Sequence, residues 1–211
     1  MKQNYQLLLD NLIKTECKDG KRPSLLLHAC CAPCSSYVLE YLSVYFEITL
    51  FFYNPNIFPE EEYRFREAEL CRLIEQMGVS DKVSFLLADY DPVEFKAIAK
   101  GLEALPEGGS RCAGCYRLRL KKAAEVAAAG GFDFYTTTLS ISPYKNAEWL
   151  NTIGEQEGQT AGVRYLPSDF KKRNGYKRSC ELSQQYGLYR QNYCGCVYSK
   201  QAAERKAMTE Q

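Results

Sequence analysis

The amino-acid sequence predicts an α/β protein: a parallel Rossmann-like sheet with helices on both faces and a mainly helical C-terminal extension. Three observations carry that expectation. Strand-like and helix-like segments alternate in succession between Leu25 and Lys100, as right-handed crossover units require. The strand-like runs are almost unbroken in apolar and β-favouring residues, the pattern of strands buried on both faces. The first of them stops at a thiol-rich turn, His28-Ala29-Cys30-Cys31-Ala32-Pro33-Cys34-Ser35-Ser36. Such a turn aims its side chains at the C-terminal edge of the sheet, where open α/β folds place their chemistry. With 211 residues and 45% hydrophobic content, one core is expected. The chain then reads as a single α/β domain, with a core over about 24–166 and a basic, mainly helical extension over about 167–211.

Each element has its own signal. Tyr5, Leu8, Leu9, Leu12 and Ile13 recur at helical spacing before Lys18-Asp19-Gly20 stops the first helix. Leu25 to Ala29 is the first strand, and Tyr37 to about Phe46 the helix after the thiol turn. Glu47 to Tyr53 is a second strand, closed by Asn54-Pro55-Asn56. Tyr63, Leu70, Leu73, Ile74 and Met77 line one face of a helix that ends at Gly78. Val83 to Ala88 is a third strand, and a short helix starts near Pro92 with Asp91 as its cap. Arg111-Cys112-Ala113-Gly114-Cys115 opens a long helix to Ala129, its inner face Tyr116, Leu120, Ala123, Ala124 and Ala127. Phe132 to Thr138 is a fourth strand, and a helix follows over about 147–157. Arg164-Tyr165-Leu166 is a short fifth strand, with fraying expected over the last ten or so residues.

Charge excludes a generic nucleic-acid binder, since 27 Lys plus Arg stand against 26 Asp plus Glu. No export signal or membrane-length apolar run is read in the sequence, so a cytoplasmic protein is expected. In a reducing compartment, ten cysteines point to metal binding or redox catalysis rather than structural bridges. His28 is the single histidine, so a metal site would be thiolate-rich, which favours iron–sulfur clusters, zinc or Cu(I). His28 itself reads as a hydrogen-bonded core residue at a strand end, with a ligand role as the alternative.

Cys112 and Cys115 sit at a helix start, where unpaired amides and the helix dipole favour thiolate. Together with Cys30, Cys31 and Cys34 they suggest a shared metal site at one sheet edge. Five thiolates exceed what a mononuclear zinc or a four-cysteine cluster needs. Adjacent side chains such as Cys30 and Cys31 seldom share one metal comfortably, so two centres are expected. Cys17, Cys71 and Cys180 read as small, partly buried residues. Cys194 and Cys196 are a redox or disulfide candidate, with capping or packing as the plainer reading. The run Lys171, Lys172, Arg173, Lys177 and Arg178 places five positive charges in eight residues, a candidate phosphate-binding stripe. Arg117, Arg119, Lys121 and Lys122 are candidates to extend it.

Five ordered motifs carry a resemblance: the thiol turn at 28–36; Arg111-Cys112-Ala113-Gly114-Cys115-Tyr116-Arg117; Thr138-Leu139-Ser140-Ile141-Ser142-Pro143-Tyr144-Lys145-Asn146; Asp169-Phe170-Lys171-Lys172-Arg173-Asn174-Gly175; and Tyr193-Cys194-Gly195-Cys196-Val197-Tyr198-Ser199. Over about residues 24–200 the chain resembles the epoxyqueuosine reductase family QueH. The resemblance implies a nucleotide-binding α/β fold of the PP-loop (HUP) type, with the thiol turn in place of the phosphate loop. It implies a [4Fe–4S] cluster and an additional mononuclear iron, with Cys30, Cys31, Cys34, Cys112 and Cys115 as metal ligands and Cys30, Cys31, Cys112 and Cys115 as the cluster-binding candidates. The implied reaction is the last step of queuosine synthesis, reductive deoxygenation of epoxyqueuosine in tRNA. Its partners would be a tRNA carrying the modified base in its anticodon loop and an external electron donor, with no membrane and the chain acting as a monomer. Tyr144, Lys145 and Asp169 are candidates for acid or substrate contacts, while their plainer reading is loop structure. Lys171, Lys172, Arg173, Lys177 and Arg178 would hold the tRNA. Two alternatives compete: a PP-loop-like tRNA-thiolating enzyme, which would want a Gly- and Ser-rich loop after the first strand, and a zinc-stabilised RNA-binding module.

Overall fold

A computed structural model describes residues 3–209. The chain runs α1 (Tyr5–Glu16), β1 (Ser24–His28), α2 (Ala32–Leu42), β2 (Glu47–Phe52), α3 (Glu60–Gln76), β3 (Val83–Leu87), α4 (Val93–Ala99), α5 (Ser110–Ala129), β4 (Phe134–Thr137), α6 (Ala147–Ala161), β5 (Arg164–Tyr165), α7 (Gly175–Gln185) and α8 (Val197–Thr209). The five strands form one sheet in the order β3-β2-β1-β4-β5, with every pair parallel. The sequence-based α/β class therefore holds. β1 lies at the centre, where the strand order reverses, so its C-terminal end is the topological switch point at which open α/β sheets bind ligands.

Alternation along β1 divides the core. Leu25 and Leu27 face a cluster with Val38, Leu42, Phe46, Leu50 and Phe52. Leu26 faces the other side, with Phe51, Leu120, Ala123, Ala127, Tyr135 and Leu150. All three leucines are fully buried, each contributing roughly 1.5–3 kcal/mol relative to exposure. The inner face of α5 is the one read from its periodicity: Tyr116, Leu120, Ala123, Ala124 and Ala127 are buried.

Several boundaries differ from expectation. α2 starts at Ala32, not Tyr37, because Pro33 suits a first helical turn, where its missing N–H is not needed. Cys34 consequently lies inside the helix and Cys31 at its cap. Pro92 rather than Asp91 is the cap residue of α4, although the Asp91 carboxylate accepts the Val93 N–H at 2.9 Å. α6 continues to Ala161, where left-handed Gly162 closes it. The C-terminal segment expected to fray is helical through Thr209, and residues 210–211 lie outside the described residues. Among the described residues, no helix is long and apolar enough to cross a membrane.

The basic segment 171–178, which runs into the first turn of α7, is largely tied to the protein. Arg173 pairs with Asp10 of α1, Arg178 pairs with Glu40 of α2 at 2.6 Å, and Lys171 pairs with Asp169 at 2.6 Å. Lys172 and Lys177 are exposed and make no ion pair within 4 Å among the described residues.

Candidate active site

The thiol turn stands at the switch point. Sγ atoms of Cys30, Cys31 and Cys34 all lie within 4.8 Å of one another. Those of Cys30 and Cys31 are 3.8 Å apart. Two sulfurs bound at about 2.3 Å to one tetrahedral centre would lie about 3.8 Å apart. The expectation that these neighbours must serve different centres therefore loses its steric basis: both lie beyond His28, the last residue of β1, so strand alternation no longer separates them.

The turn is fixed from three sides. His28 is fully buried, with Nδ1 2.8 Å from Thr137 Oγ1 and Nε2 3.0 Å from the Tyr53 carbonyl. Burial and nearby Arg119 depress its pKa to about 4, and with both ring nitrogens engaged it is the hydrogen-bonded core histidine. Just past β4, Thr138 Oγ1 accepts the Cys30 N–H at 3.3 Å and lies 3.5 Å from the Cys30 sulfur. From β2, the Asn54 amide donates to the Ala29 carbonyl at 2.9 Å.

The three thiols differ in acidity. Hydrogen bonds from Cys31 and Cys34 hold the Cys30 thiol well below the ordinary value, despite its burial. Donating to Cys30 pushes Cys31 up to about 12, and the same contacts raise Cys34.

Cys112 and Cys115 do occupy the first turns of α5, yet they stand outside the close trio. They line an adjoining cavity with Tyr116, Arg119, Lys145 and Cys194. Here burial overrides the helix terminus: it raises the Cys112 thiol and pushes Cys115 up to about 12. The Lys145 ammonium donates to Cys194 Sγ at 3.3 Å. Burial alone would lower its pKa, yet its interactions with neighbouring Cys194 and Tyr116 hold it above the ordinary lysine value. Cys196 also lines this cavity and accepts the Ser199 N–H at 3.4 Å. Gly195 between them has φ +117°, and a Cβ there would come within 3.0 Å of Arg66 Nη1 and Ile57 Cγ1. Arg66 further holds the Cys194 carbonyl at 3.3 Å, fixing the Cys194-Gly195-Cys196 loop against α3.

Of the three acid or substrate candidates, Lys145 alone lines this cavity. Tyr144 is 77% exposed, and Asp169 is engaged by Lys171. All ten cysteines are free thiols, Cys194 and Cys196 included. Of the suggested extension of the basic surface, Arg119 is corrected, being buried; Arg117 pairs with Glu157, Lys121 reaches Glu125 at 3.9 Å, and Lys122 is exposed. Asn54 and Arg66 are site residues the sequence reading missed, and Arg119 is one it assigned to the basic surface instead. A usable signal existed for two of them, since Arg119 and Arg66 interrupt the apolar stripes of α5 and α3.

The donor set fits a soft metal centre: three gathered sulfurs, two more at an adjoining helix start, and one imidazole already committed elsewhere. Comparison with known proteins agrees in kind. The family model described as epoxyqueuosine reductase QueH matches residues 25–202. A Streptococcus pyogenes serotype M1 protein named epoxyqueuosine reductase QueH is 44% identical over 200 residues, covering 94% of this chain and 78% of that one. The Staphylococcus epidermidis protein of the same name is 42% identical over 207 residues, covering 94% and 85%. One from Thermotoga maritima is 32% identical over 182 residues, covering 83% and 90%.

Proposed function

The chain belongs to the epoxyqueuosine reductase QueH family of oxidoreductases, and on that premise we propose that it removes the epoxide oxygen of epoxyqueuosine in tRNA, the last step of queuosine synthesis. The observation that carries this reading is the gathering of Cys30, Cys31 and Cys34 at the switch point, beside a cavity lined by Cys112 and Cys115. These five residues would hold a [4Fe–4S] cluster and an additional iron. When bound, such a centre supplies electrons singly and a Lewis-acidic iron for the epoxide oxygen.

The chain's own groups supply the remainder. Converting an epoxide to an alkene takes two electrons and two protons, and the oxygen leaves as water. The Lys145 ammonium, held at the cavity by Cys194, is positioned to give a proton to the departing oxygen. Cys194 and Cys196 form a dithiol whose oxidation to a disulfide releases two electrons and two protons, matching the demand of one turnover. An external electron donor restores it. Thr138 and Asn54 keep the thiol turn in place as the substrate enters. Lys172 and Lys177, with the rest of the segment 171–178, hold the tRNA backbone, while the single modified base is splayed into the cavity. The reaction belongs in the cytoplasm, where thiols stay reduced.

Anaerobic incubation with epoxyqueuosine-containing tRNA and a strong reductant, followed by mass analysis of the nucleosides, tests the proposal. Loss of one oxygen is required, and an unchanged nucleoside in the presence of intact metal refutes it.

A further inference from the structure

Among the described residues Arg66 and Arg119 are each only 1% exposed, and of these two only Arg66 has an anionic partner; Arg111, 3% exposed, is held by three backbone carbonyls. Arg66 meets Glu62 at 2.7 Å. Arg119 is 1% exposed and has no carboxylate within 4 Å among the described residues. Its Nε donates to the Cys115 carbonyl and its Nη1 to the Asn54 side-chain oxygen, each at 3.3 Å; both acceptors are neutral. Its Nη2 has no hydrogen-bond partner. A fixed charge taken out of water with neutral partners is among the costliest groups a core can hold, and breaking or omitting its partner leaves that cost uncompensated. The guanidinium is nonetheless placed on the apolar stripe of α5, four residues after Cys115, where helix geometry sends it back toward the thiols.

What surrounds Arg119 is sulfur. It lines the cavity with Cys112, Cys115 and Cys194, and it lies near enough to Cys30 to favour the thiolate there. Asn54 joins it to the thiol turn, accepting from Arg119 through its oxygen and donating to Ala29 through its nitrogen. Thiol ligands give up their protons when they take a metal, so negative charge accumulates around the Arg119 guanidinium, with the Lys145 ammonium on the same cavity.

We propose that Arg119 is the fixed counter-charge of the thiolate centre: a positioning residue that raises the centre's reduction potential and favours metal retention. This rests on the iron–sulfur reading above. An electron added beside a buried positive charge is stabilised, and the low local dielectric keeps the effect from being screened. Burial and hydrogen bonding around a centre are recognised levers on its potential.

The test uses the full chain, purified without oxygen, as wild type, Arg119→Met and Arg119→Lys. Midpoint potential is read by spectroscopic redox titration, with iron and sulfide content alongside and circular dichroism to check the fold. Arg119→Met is expected to move the one-electron equilibrium at least tenfold toward the oxidised form, about 59 mV downward. It should also carry less iron, whereas Arg119→Lys stays near wild type in both. A folded Arg119→Met with unmoved midpoint and full iron overturns the inference. If Arg119→Met is unfolded, Arg119→Lys decides: a retained midpoint supports the charge, and a fallen one overturns it. A wild type with no redox transition overturns the iron–sulfur reading and this inference together, while a wild type with a transition leaves Arg119 to be judged alone.

Discussion

Neutralising Lys172 and Lys177 should change how salt weakens tRNA binding, whereas neutralising Arg173 and Arg178 should not. The sequence offers five equivalent cations in segment 171–178, but the structure divides them. Arg173 is paired with Asp10 and Arg178 with Glu40 and Glu181; Lys172 and Lys177 are exposed with no ion pair among the described residues. Each phosphate contact contributes about 0.7–0.9 to the slope of log affinity against log salt. Losing two contacts lowers the slope by up to about 1.4–1.8. Between 50 and 200 mM salt, wild-type affinity should then fall about 7–12-fold further than that of Lys172→Ala/Lys177→Ala. Arg173→Ala/Arg178→Ala keeps the slope and costs about 0–1 kcal/mol of stability per exposed pair. Fluorescence anisotropy of labelled tRNA across a salt series measures both. Equal flattening by the two double variants, or none by the lysine pair, would refute this division of roles.

Other outcomes follow from the thiols and the lysine. Cys112→Ala and Cys115→Ala should each lose iron and turnover, and normal iron content with full activity would remove either residue from the ligand set. After the metal has been stripped, iodoacetamide at pH 7 should alkylate Cys30 well before Cys115. The Cys30 thiol is held well below its usual range and so forms the reactive thiolate more readily, whereas Cys115, pushed up to about 12, stays protonated until the pH approaches that value. Peptide mass mapping reads the order, and the reverse order would contradict the hydrogen-bonding argument. Lys145→Met should lower turnover about 10²-fold or more with tRNA binding retained, as loss of a general acid does. Unaltered single-turnover rates would return Lys145 to loop structure.

Strand positions and the inner face of α5 are legible in the sequence because each follows a local period, two for strands and 3.6 for helices. The thiol turn is legible because a strand end is itself a local feature. What tertiary contact decides is not. Nothing in the run 171–178 marks Arg173 for Asp10, 163 residues away. Likewise Lys145 meets Cys194 across 49 residues, and only folding brings them together. The helix-terminus argument for acidic thiols at Cys112 and Cys115 is local and sound, but burial, a property of the whole fold, outweighs it. Arg119 lies between these cases: its place on an apolar stripe is visible, and its purpose depends on sulfurs delivered by β1 and the Cys194 loop.

The central claim is that a thiolate-held iron centre in this chain reduces the epoxide. Stripping the metal and rebuilding the protein anaerobically, once with iron and sulfide and once with zinc, tests it most directly when both preparations are given epoxyqueuosine-containing tRNA and reductant. Conversion with loss of one oxygen should return with iron and sulfide and be absent with zinc. Equal conversion by the zinc-loaded and iron-loaded proteins would contradict the account.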